Sequence, residues 1–142
     1  MNINFDMDGT LADFYGVPNW LEYLEHEDTT PYKVAKPLLN MATLARKLNA
    51  LQRAGHKLGI ISWTSKNGTD DFNKAVAVVK MKWLEAHLPS VKWDYISIIP
   101  YGTPKGAIGT GILFDDEEPN RVNYGHDGAY KETEIMSVLN AL

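Results

Sequence analysis

Four short apolar runs, at residues 3–6, 57–62, 93–99 and 111–115, alternate with longer segments of helical periodicity. This alternation constrains the fold more than any other feature. Each run is too short for an amphipathic helix, and the third is rich in aromatic and β-branched residues, so all four read as strands. Between the first two, Leu38, Met41, Leu44, Ala45, Leu48 and Leu51 recur at intervals of three and four. That spacing predicts a helix over 38–53, stopped by Gly55. A second helix is expected over about 70–87, with Asp70 or Asp71 as its cap and Pro89 beyond its end. A fifth strand is expected near 125–130 and a closing helix over 131–142. Continuous apolar strands separated by helices imply a mostly parallel sheet covered on both faces.

Asp6, Ser62 and Asp115 each end a predicted strand, and Lys105 lies in the Gly/Pro loop beyond the third. In a parallel α/β sheet ligands sit at the carboxyl ends of the strands, where the strand order reverses. The same edge therefore collects these four residues. Asp6-Met7-Asp8-Gly9-Thr10-Leu11 follows the first strand directly. A turn beginning at Gly9 lets both carboxylates reach one pocket. Two carboxylates in one cleft repel each other and raise one pKa unless they share a cation. In isolation such a turn also reads as an acidic helix cap; its place in the chain and the three later segments weigh against that.

At 142 residues, with 44% apolar and 23% charged residues, the chain fits one globular domain with a sizeable core. A net charge of −4 offers no electrostatic footprint for wrapping nucleic acid, which enters only as a substrate class. The chain has no cysteine, which excludes disulfides, thiolate catalysis and zinc–cysteine sites. No apolar run approaches the ~18 residues of a membrane span and no signal peptide is visible, so a cytoplasmic protein with no membrane partner is expected. The four histidines show no metal-ligand spacing.

The order D-x-D-G-T, Ser62, Lys105 and Asp115-Asp116 resembles the four motifs of the haloacid dehalogenase superfamily of phosphatases and phosphotransferases. The resemblance covers nearly the whole chain apart from residues 12–36. It implies a three-layer Rossmann-like α/β fold with a five-stranded sheet and a small insertion after the first strand. It also implies that Asp6 is the nucleophile and that Asp8 manages the leaving-group proton. Mg²⁺ would be held by Asp6, the backbone carbonyl of Asp8, Asp115 and, directly or through water, Asp116. Ser62, Lys105, Gly9 and Thr10 would bind phosphate, with Thr64 a rival to Ser62. Trp63 departs from the small or polar residue that many members carry after this Ser. It either lines the substrate entrance or packs. Asn120 is expected to order the acidic loop, and Glu117 and Glu118 to be solvated charges.

Residues 12–36 are aromatic and irregular, apart from two helical turns at 18–25. In the superfamily an insertion here often chooses the substrate, and this one is of minimal size. Its aromatics, with Trp20 and Tyr23 foremost, either cover apolar surface or close over a nucleotide. The expected activity is hydrolysis of a phosphomonoester, a small metabolite or nucleotide. The alternatives are a macromolecular phosphatase, transfer to another acceptor, or a binding protein that keeps the fold. Self-association is left open.

Overall fold

The computed structural model describes residues 1–142, and its five strands form one sheet. They are β1 (Asn2–Phe5), β2 (Lys57–Trp63), β3 (Tyr95–Ile99), β4 (Ile112–Phe114) and β5 (Ala129–Tyr130). The order is β3-β2-β1-β4-β5 and every neighbouring pair is parallel. The chain leaves the central β1 for β2 and β3, then crosses back to β4 and β5. The strand order therefore reverses at β1, where a parallel sheet opens its ligand crevice. Helices flank the sheet: α1 (Trp20–Glu25), α2 (Thr30–Val34), α3 (Met41–Arg53), α4 (Asp70–His87), α5 (Glu118–Tyr124) and α6 (Ile135–Asn140). This is the Rossmann-like α/β architecture expected from the alternation of apolar and helical segments. No helix is long and apolar enough to cross a membrane.

Several element boundaries move for local reasons. The α3 helix starts at Met41 because the Asn40 side chain accepts a hydrogen bond from the Thr43 amide at 3.0 Å. Thr69, rather than Asp70 or Asp71, caps α4 by accepting from the Phe72 amide at 3.2 Å. The two aspartates occupy the first turn, where the helix dipole favours negative charge. The closing segment is a short 3₁₀ turn, Glu132–Glu134, followed by α6. One cluster joins the sheet to its helices, with Ile3, Phe5, Ile60 and Phe114 packed against Leu44 and Leu48 of α3, Leu84 of α4 and Leu139 of α6.

Residues 12–36 fold back onto α4. At the neck, the Asp13 amide donates to the Lys36 carbonyl at 2.7 Å and the Leu38 amide to the Leu11 carbonyl at 2.9 Å. Phe14 and Tyr32 share a small second core with Phe72 and Val76 of α4. The Trp83 indole donates to the Ala35 carbonyl at 2.8 Å. The Glu27 carboxylate accepts from both the amide and the hydroxyl of Thr69, each at 2.9 Å. Apolar burial and these polar ties together fix the insertion beside the carboxyl ends of the strands.

Asn4 is a fully buried polar residue in the middle strand. Its amide donates to the carbonyls of Thr110 and Ile112 at 2.8 and 3.1 Å, and its oxygen accepts from the Tyr95 hydroxyl. Tyr95 reaches it across Gly59, where any Cβ would collide with the tyrosine ring. Buried polar groups are tolerated when fully partnered, and removing one partner strands the rest. Asn4→Leu is therefore expected to destabilise the fold by about 2 kcal/mol, read from the urea midpoint at unchanged m-value.

Candidate functional site

The pairing of β1 with β4 sets Phe5 opposite Phe114, so Asp6 and Asp115 leave the sheet side by side. Their amides are anchored, Asp6 to the Phe114 carbonyl at 2.9 Å and Asp115 to the Tyr130 carbonyl at 3.0 Å. Lys105 opens a 3₁₀ turn after β3, and its Nζ lies 2.9 Å from Asp6 Oδ1 and 2.6 Å from Asp115 Oδ2. All three residues are buried. Burial alone would lower the pKa of the Lys105 ammonium, but Asp6 and Asp115 outweigh it and hold it above the ordinary lysine range. Asp115 also accepts from the Glu117 amide at 2.9 Å and from Asn120 Nδ2 at 3.1 Å. Asn120 thus orders the acidic loop as expected, with contacts to Asp115 and Glu117. It does so from α5, a helix the acidic sequence there does not announce.

Asp116 completes an acidic group. Burial first, then the charges of Asp6 and Asp115, push its pKa up to about 8, while burial and Asp6 push Asp115 up to about 6. One carboxylate oxygen each from Asp6, Asp115 and Asp116 falls within 4.8 Å of the others. Opposite ligands of an octahedral Mg²⁺ stand roughly 4.2 Å apart, and that ion prefers hard oxygen donors. The donor set and its excess negative charge fit such a cation.

Gly9 and Thr10 serve this group in a way that differs from direct phosphate binding. Their backbone amides are spent inside the turn, Gly9 on the Ala12 carbonyl at 2.8 Å and Thr10 on the Met7 carbonyl at 3.1 Å. Gly9 has φ 80°, and a Cβ there would run into the Asp116 carboxylate. The buried Thr10 hydroxyl lies 3.3 Å from Asp6 Oδ2 and 3.2 Å from Asp116 Oδ1, and accepts from the Asp116 amide at 3.1 Å. The turn therefore spaces the carboxylates.

Asp8 points elsewhere, to a residue that sequence reasoning missed. The Nζ of Lys80 in α4, 1% exposed, donates to Asp8 Oδ2 at 2.9 Å, Ser62 Oγ at 2.7 Å and the Trp63 carbonyl at 2.7 Å. Partial burial raises the Asp8 pKa above the usual carboxyl range, and Lys80 opposes that shift. Because Lys80 donates to the Ser62 oxygen, the Ser62 hydroxyl hydrogen is turned away from it. A signal for Lys80 was present: Phe72, Val76, Lys80 and Trp83 are spaced four, four and three, which puts a charge on the buried stripe of α4.

A cavity of about 700 Å³ opens over Asp6, Asp8 and Lys105 and runs out between the insertion and the loops after β2 and β3. Trp20 and Trp63 line it, as does Thr64. Ser62 is fully buried and does not line it, so of these two rivals only Thr64 borders the space, beside Ser65 and Thr69. Tyr23 does not line it either. Trp20, Leu21 and Leu24 occupy the inner face of α1, and Tyr23 looks out with Glu22 and His26 into a separate, shallower depression. Glu117 lines the cavity, while Glu118 sits in the first turn of α5.

No family model matches the chain, and no curated protein does. The site therefore stands on its own residues. Lys80→Met is expected to cost about 3 kcal/mol of stability, because it leaves a largely buried carboxylate unpaired. Adding Asp8→Asn should recover part of that loss, and urea unfolding of the single and double variants measures the coupling.

Proposed function

We propose that this protein is a Mg²⁺-dependent phosphatase of the haloacid dehalogenase type, which hydrolyses a phosphomonoester through an aspartyl-phosphate on Asp6. The observation that supports it most is the placement of Asp6 and Asp8 together on the cavity floor, each with its own buried lysine. Phosphoryl transfer asks a protein for an in-line nucleophile, positive charge around the transferred group and a proton for the leaving oxygen.

Each demand has a candidate. A carboxylate oxygen of Asp6, which lies beside the Lys105 ammonium, attacks phosphorus as the ester P–O bond breaks. The carboxyl of Asp8 gives its proton to the departing oxygen. A water then loses a proton to the Asp8 carboxylate and attacks phosphorus. The bond to Asp6 breaks, and inorganic phosphate leaves with both aspartates restored. Lys105 and Thr64 line the cavity with Asp6 and would meet the phosphoryl oxygens. Mg²⁺, held by Asp6, Asp115 and Asp116, would screen the repulsion between an anionic nucleophile and an anionic substrate.

Asp6→Asn should lower phosphate release from p-nitrophenyl phosphate on the order of a thousandfold or more while the far-UV circular dichroism stays native. EDTA should abolish wild-type release and added Mg²⁺ restore it. A wild-type rate in the variant would remove the covalent route.

A further inference from the structure

The cavity over the proposed site is built unlike a site for a small aliphatic phosphate. Six of its lining side chains are aromatic, and they come in two groups. Phe14, Tyr15, Trp20 and Tyr32 belong to the insertion, with Trp20 5.5 Å from Phe14 and 5.1 Å from Tyr15 between ring centres. Trp63 and Tyr101, from the ends of β2 and β3, stand 4.8 Å apart. Tyr15 and Tyr101 are nearly half exposed, at 47% and 48%. Exposed aromatic surface concentrated in one concavity is what a flat apolar ligand covers.

The arrangement is held in place before any ligand arrives. The Trp63 indole donates to the Thr103 carbonyl at 2.8 Å, so its polar edge is satisfied. Lys105 Nζ lies 5.2 Å from the centre of the same ring, so the aromatic wall starts beside the phosphoryl position. Lys66, Asn67 and Glu25 also line the cavity and add donors and acceptors. Asn67 sits at φ 63° in the loop after β2. Its side-chain amide offers the adjacent donor and acceptor that the edge of a base can pair with. The cavity volume, about 700 Å³, belongs to the range for whole drug-sized ligands and exceeds what a glycerol phosphate would fill. The Glu27–Thr69 tie fixes the insertion to the loop before α4.

We infer that the substrate is a nucleoside monophosphate, its base lodged among Trp20, Trp63 and Tyr101 and its phosphate at Asp6 and Lys105. This rests on the phosphatase reading and names the substrate class for the same site. A polyol or sugar phosphate would leave the six aromatic side chains of the lining uncovered, whereas every base presents a π face to them. A phosphorylated nucleic-acid end is the macromolecular competitor, and the test includes it.

The experiment compares kcat/KM for purine and pyrimidine nucleoside monophosphates with glycerol phosphate, glucose 6-phosphate, acetyl phosphate and a 5′-phosphorylated oligonucleotide, for wild type and Trp20→Leu. Nucleoside monophosphates are expected to exceed the aliphatic esters by about tenfold or more, the scale of one base–aromatic stack. Trp20→Leu should shrink that preference severalfold. Phosphate release from all the small esters at similar kcat/KM overturns the inference and leaves the phosphatase reading standing. So does a preference for the oligonucleotide over the mononucleotides, or a preference that Trp20→Leu does not change. Release from none of them overturns both.

Discussion

The ammonium of Lys105, lodged between Asp6 and Asp115, is the contact on which the site depends. Burying one carboxylate is costly, and burying two on adjacent strands is worse, because their like charges repel. The parallel register of β1 and β4 imposes that juxtaposition. It sets Phe5 opposite Phe114, and the next residue on each strand is an aspartate. Lys105 compensates one charge. With Asp116 added, three carboxyl groups share a single lysine, and the proposed Mg²⁺ would offset the negative charge that remains. The Gly9 turn follows from the same crowding, since Asp116 occupies the room a side chain would need.

The second lysine extends the logic to Asp8. Lys80 spends its three protons on Asp8, Ser62 and the Trp63 carbonyl, which ties the turn after β1 to the end of β2. It also lies 5.2 Å from the ring centre of Tyr32, so one buried cation joins the insertion, α4 and both strand ends. Cavity shape and site chemistry are thus coupled through α4: its apolar face holds the insertion, and its one buried charge holds Asp8.

Much of this was legible in the sequence. The runs ending in Asp6, Ser62 and Asp115 were readable because fully buried parallel strands need unbroken apolar residues, and a polar residue ends them at the crevice. Lys105 was readable from its Gly/Pro loop. In the insertion only α1 was, as the two helical turns expected at 18–25. The five-residue α2 shows too little periodicity to register, and Asn19 starts α1 from a left-handed conformation that no composition rule announces. That start sets the phase of α1, which is why Trp20 faces the cavity and Tyr23 does not. The α5 helix was hidden because Glu118-Pro119 reads as loop until the Pro is seen in the first turn, where its missing amide costs nothing. Choosing between Ser62 and Thr64 requires the twist of the strand end, which a one-dimensional pattern does not contain.

The most direct test of the central claim is the mass of the protein after rapid acid quenching during turnover of a nucleoside monophosphate or p-nitrophenyl phosphate. A covalent route predicts a fraction of protein heavier by one phosphoryl group, with the label mapped to the peptide containing Asp6. Turnover without any labelled protein, on a timescale where phosphate release is slower than quenching, would contradict it, as would a label on any other residue.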